Sequence, residues 1–130
     1  MLNQGQDRRE FFRLKFSAPL EYKAYDQAAE QASSSAFGRT DNISQSGILF
    51  QTEGRPPQLS SIVWMNLDMR TLKICQEIES KALIFNNGVI GKVVRVEEDP
   101  ETGKTYDVGV CFLKKDQRDS RDVQELLKRM

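Results

Sequence analysis

Histidine is absent from this chain, and with it go the commonest general base, the commonest metal ligand and every nucleophile that a histidine would activate. Cysteine is scarce: Cys75 and Cys111 are too few for a four-thiolate zinc site. Each sits among apolar neighbours, where a small buried residue is expected. Neither charge is in excess, since 19 basic residues balance 19 acidic ones. No global field therefore draws the protein toward nucleic acid or an anionic membrane, and any anion binding must be local. Long apolar runs are missing as well, none approaching the roughly 20 residues needed to cross a bilayer. The first ten residues, MLNQGQDRRE, lack the apolar centre of a secretory signal. These absences predict a cytoplasmic domain that is not an enzyme and has no metal, no cofactor and no membrane insertion.

What is present is the material of one domain: 130 residues, 38% apolar and 29% charged. Leu14, Phe16, Ala18, Leu20, Tyr22 and Ala24 alternate with mostly polar residues, the period of a half-buried strand. Pro19 lacks an N–H, which predicts an edge position or a bulge there. Strand signatures recur at 47–51, 62–69, 81–85, 89–96 and 106–113. Asn86-Asn87-Gly88 suits a tight hairpin, and residues 99–103 (DPETG) suit a longer one. Short strands at close spacing predict an antiparallel barrel. Residues 26–38 are small and polar and read as a mobile excursion, and 69–80 fit a strand or a helical turn equally. Trp64 reads as core because of the apolar area it carries; Phe11 and Phe12 could pack on the barrel or bear on a ligand, and core is the reading taken. Val123, Leu126, Leu127 and Met130 recur at helical spacing, predicting an amphipathic terminal helix from about residue 117, capped by Asp116.

Two clusters break the strand pattern. The first is Asp7-Arg8-Arg9-Glu10-Phe11-Phe12-Arg13. Guanidinium is planar, permanently charged and forked, so it matches phosphate oxygens and the O6/N7 edge of guanine and stacks on a purine face. A guanine nucleotide uses all three properties, although a solvated basic patch is the plain alternative. The second cluster is Asp41-Asn42-Ile43-Ser44-Gln45-Ser46-Gly47. Asn42 offers a donor and an acceptor to a base edge, Ser44 a hydroxyl, and Gly47 either close backbone approach or a positive φ. A loop entering a strand, with Asn and Ser satisfying local amides, would use the same residues.

Taken together the clusters resemble the signatures of the PilZ domain family: Arg-x-x-x-Arg in an N-terminal loop, matched by Arg9 and Arg13, and Asp/Asn-x-Ser-x-x-Gly, matched by Asn42, Ser44 and Gly47. Residues 91–96 and 107–113 resemble the family's last two strands. The resemblance implies a mainly β fold, a six-stranded antiparallel barrel with a C-terminal helix. It implies a single domain over 1–130, with a flexible ligand-binding arm at 1–13, the barrel at 14–113 and the helix at 117–130. It implies a bacterial receptor for cyclic di-GMP, with Arg8, Arg9 and Arg13 on phosphates and guanines and Asn42, Ser44 and Gly47 holding a guanine. Arg8, directly before the first motif arginine, implies an intercalated pair of ligand molecules per protomer. The output would be an arm ordered by ligand and read by a downstream partner protein. Ser46 departs from a frequent Gly, and 26–38 lengthens the first connection. The rival within this fold is a protein-interaction adaptor that binds no nucleotide. A nucleic-acid-binding barrel is disfavoured by zero net charge and by aromatic residues that fit strand and core positions.

Overall fold

The structure is a computed structural model and describes residues 14–15, 17–26, 31–32, 36–66, 78, 80–101 and 103–128. The strands among these are β1 (Leu14–Lys15), β2 (Pro19–Asp26), β3 (Gln31–Ala32), β4 (Ala36–Ile43), β5 (Gly47–Glu53), β6 (Ile62–Asn66), β7 (Ile84–Phe85), β8 (Gly88–Glu98) and β9 (Thr105–Phe112). Six of them close a barrel in the order β4-β5-β9-β8-β6-β2, with β2 returning to β4 and every pairing antiparallel. The two-residue strands β1, β3 and β7 extend β4, β2 and β8.

The predicted alternation holds in the strands that it defined. Leu20 and Tyr22 of β2, Ile48 and Phe50 of β5, Val63 and Met65 of β6, and Val108, Val110 and Phe112 of β9 are buried in the barrel interior. At Pro19 the chain pairs with Arg39 of β4 alone, and pairing with β6 begins only at Glu21. Between Lys15 and Pro19 the register against β4 slips by one residue, so β1 and β2 form one broken strand. The missing proline N–H thus falls where no second neighbour needs it. Inside the barrel the Tyr22 hydroxyl meets the buried Thr52 Oγ1 at 2.8 Å, which satisfies two polar groups that burial would otherwise penalise.

A second core lies outside the barrel wall. Tyr25, Ile62, Trp64 and Ile90 point away from the interior and pack with Leu83 and Leu113 against Val123 and Leu126. The last two belong to the terminal helix, Arg121–Lys128. Trp64 is 7% exposed and its indole Nε1 donates to the Phe85 carbonyl at 2.8 Å, so its polar atom is satisfied within the core position predicted for it.

Several expectations need correction. The 26–38 segment is not wholly an excursion: Asp26 ends β2, Gln31 and Ala32 fold back on Asp26 and Tyr25, and Ala36 already pairs with Tyr22. Barrel closure requires that pairing whatever the side chains are, which is why the polar composition misled. Residue 81 is helical, as are Ile78 and Ser80, and the Ala82 N–H donates to the Ile78 carbonyl at 2.7 Å; the strand expected at 81–85 reduces to Ile84–Phe85. Asp116 does not cap the helix. A 3-10 turn spans Lys115–Asp119, and the Ser120 hydroxyl accepts from the Val123 N–H at 3.3 Å. Cys111 is exposed, because β9 turns Val110 and Phe112 inward and the residue between them outward. Cys75, Phe11 and Phe12 lie outside the described residues.

The predicted turns follow their chemistry. Asn86 and Asn87 both take positive φ, 49° and 62°, between paired Phe85 and Gly88. At the longer hairpin Gly103 takes φ 64° and its N–H donates to the Asp99 carbonyl at 2.9 Å.

Candidate functional site

The second motif occupies the hairpin between β4 and β5. Asn42 is the penultimate residue of β4, Ser44 to Ser46 make the turn, and Gly47 opens β5. Ser44 is 2% exposed. Its N–H donates to the Gly47 carbonyl at 2.9 Å, and its Oγ accepts from the Ser46 N–H and lies 3.2 Å from Ser46 Oγ. The hydroxyl therefore organises the turn. Gly47 has no positive φ; its role is close approach, since a Cβ there would sit 2.3 Å from the Val110 carbonyl oxygen. The Ser46 carbonyl accepts from the Phe112 N–H at 2.8 Å, which ties the turn to β9 as well.

Beside this turn an open hollow of about 450 Å³ lies on the outer face of the barrel. Asn42, Ser46 and Gly47 line it on one side, Val94 and Arg95 of β8 on the other, with Leu49, Gly109 and Cys111 between. It crosses the four adjacent strands β4, β5, β9 and β8, about 14 Å at ordinary strand spacing.

Two β-bulges shape its rims. In β4 the register slips between Thr40 and Asn42, and in β8 between Val93 and Arg95. The burial pattern shows what each bulge does. Thr40 and Ile43 face inward while Asp41 and Asn42, between them, do not. Val93 is 1% exposed, Val94 57% exposed, Arg95 is also exposed, and Val96 packs back against the core. One extra residue in each strand thus turns two consecutive side chains outward, where a regular strand would turn one. On β4 the Asn42 amide donates to Asp41 Oδ2 at 3.2 Å. On β8 the Arg95 Nε donates to the Glu97 carboxylate. That hydrogen bond, with the attraction between the charges, raises the Arg95 pKa and holds Glu97 below the ordinary carboxylate range.

Of the residues predicted from sequence, Asn42 and Gly47 line the hollow and Ser44 shapes the turn beneath it. Arg8, Arg9 and Arg13 lie outside the described residues. Directly after Arg13, Leu14 pairs with Ile43 and Lys15 with Asn42. As expected, the second motif leads into a strand, with Gly47 opening β5; that Asn42 belongs to β4 was not expected, and because β1 runs antiparallel to β4, the start of the one lies beside the end of the other. Val94, Arg95 and Cys111 were not anticipated, because only the bulge and the register of β9 turn them toward this face.

The family model for the PilZ domain matches residues 7–129. The chain belongs to the PilZ domain family. Among solved structures, the inhibitor of motility MotI/DgrA from Bacillus subtilis shares the fold, with a TM-score of 0.54 at 13% identity over 95% of this chain. This PilZ chain spans about half of that protein, covering 52% of it. The PilZ domain of YcgR from Escherichia coli, solved with c-di-GMP, aligns at a TM-score of 0.48 and 18% identity over 95% of this chain and 88% of that one. No curated protein sequence matches the chain. Among the described residues no three acidic, thiol or imidazole groups are placed to hold a metal ion, and no helix is long and apolar enough to cross a membrane.

Proposed function

We propose that this PilZ domain is a receptor for cyclic di-GMP, and that the ligand sits in the hollow between the β4–β5 turn and the β8 bulge. Arg8, Arg9 and Arg13 supply guanidinium groups to phosphates and guanine edges, and Asn42, the turn built by Ser44, and Gly47 hold a guanine. The observation that carries this reading is the pairing of Leu14 and Lys15 with Ile43 and Asn42: the arginine cluster is covalently joined to a strand hydrogen-bonded to the second motif. A micromolar complex requires about 8 kcal/mol, and charge-assisted hydrogen bonds contribute roughly 1.5–3 kcal/mol each before ordering losses. A few arginine contacts suffice. In this reading the arm closes over the dinucleotide, Arg8 accommodates a second, intercalated molecule, and a partner protein reads the ordered surface.

Calorimetric titration with cyclic di-GMP, cyclic di-AMP and GTP tests the proposal. Selective binding of cyclic di-GMP with a stoichiometry near two is expected, abolished in the Arg9→Ala/Arg13→Ala variant. A folded wild-type protein that binds none of the three would leave the adaptor reading in its place. Equal amide exchange at residues 5–13 with and without saturating ligand would remove the arm-closing step alone.

A further inference from the structure

The wall of the hollow opposite the motif carries its own recognition chemistry. Among its described lining residues Arg95 alone bears a charge, and its side chain is 57% exposed. Next to it stands Val94, also 57% exposed, an apolar side chain that a regular strand would have alternated with its neighbour across the sheet. The bulge sets both on the same face. Opposite Arg95 on β9 is Gly109, where a Cβ would lie 3.2 Å from Arg95 Cβ. The absent side chain leaves the arginine stem room to lie across β9. Glu97 holds the guanidinium by its Nε, and the Nη edge is a forked donor of the kind that recognises phosphate or guanine.

We propose that Arg95 and Val94 form a third binding element of the site: the Arg95 guanidinium contacts a phosphate or guanine edge of the bound dinucleotide, and Val94 seats a purine face. This rests on the receptor reading above and adds a determinant that neither sequence motif contains. It assigns the β8 bulge a purpose, since without the extra residue one of the two side chains would face inward. It also places the ligand against the β8–β9 wall, where Cys111 lines the same hollow and serves as a built-in reporter.

Two measurements on the full chain test it. The first is the affinity for cyclic di-GMP of Arg95→Met, Arg95→Lys and Val94→Ser. Loss of one charge-assisted contact predicts a weakening of roughly 10- to 100-fold for Arg95→Met. Arg95→Lys keeps the charge without the fork and should fall between wild type and Arg95→Met. Val94→Ser should weaken binding several-fold. Arg55→Met, an exposed residue just beyond the far end of β5, should bind like wild type, and far-UV dichroism confirms that each variant folds. The second is alkylation of Cys111 by iodoacetamide, followed by peptide mapping that separates it from Cys75. Saturating ligand should protect Cys111 in the wild type. If wild type binds while Arg95→Met binds equally well, the third element is wrong and the receptor reading stands; if Cys111 reacts at the same rate with ligand present, the third element falls together with the placement of the ligand in this hollow, and the binding of cyclic di-GMP stands. If wild type does not bind, both fall together.

Discussion

At Gly47 a single missing methyl decides how two strands meet. A Cβ there would press to within 2.3 Å of a backbone oxygen of β9, and backbone in a closed barrel cannot swing aside as a side chain can. Gly47→Ala should therefore lower stability by about 1–3 kcal/mol, read as a shifted midpoint in urea denaturation, and an unshifted midpoint would show that β5 relaxes freely. Glu97 offers a second test at this scale. Its hydrogen bond from Arg95 lowers its pKa, so the pairing is complete above the ordinary carboxylate range and is lost as pH falls through the lowered value. Titrated by NMR, Glu97 should ionise below an ordinary glutamate in the wild type and return toward one in Arg95→Met. Equal behaviour in the two proteins would mean that the pair does not form in solution. The turn at 44–46 and the strand that Gly47 opens were legible in sequence, because Asn42, Ser44 and Gly47 lie within six residues and match the family's Asp/Asn-x-Ser-x-x-Gly pattern. Arg95 was not, since nothing in Val93-Val94-Arg95-Val96 announces which two of the four share a face. Cys111 was misplaced because the phase of alternation in β9 had to be known first.

The elements divide along the same line. β2, β5, β6, β8 and β9 were readable because apolar residues repeat on their inner faces. β4 escaped notice: Ala36–Ile43 reads AFGRTDNI, its one large apolar residue before Ile43 is Phe37, and Phe37 is 69% exposed. It is a strand because β2 and β5 pair with it, a cause outside its own sequence. The terminal helix was legible from its spacing, but its docking surface was not. That surface is the outward face of β2, β6 and β8, with Leu126 fully buried against it. Leu126→Ala should cost about 2–5 kcal/mol in equilibrium unfolding, and a loss below 1 kcal/mol would mean that the helix rests on the barrel without contributing to its stability.

On the scale of the whole molecule, two cores share one wall. Ile62 and Trp64 face the helix while Val63 and Met65, from the same strand, face the interior. The helix layer and the barrel should consequently unfold as one. Trp64 fluorescence and far-UV dichroism are expected to trace a single urea transition, and an earlier fluorescence change would show the helix layer separating first. The barrel's closure has a further consequence. Each of its six strands has a partner on both sides over part of its length, and the described stretches left with an open side are short: the two-residue β1, β3 and β7, and the end of β8 at 94–98, which pairs with β9 alone. Sheets that end in a long bare strand can recruit a neighbour's backbone. Among the described residues only the short stretch at 94–98 could take up a strand in this way, so a partner docking elsewhere on the barrel would have to read side chains.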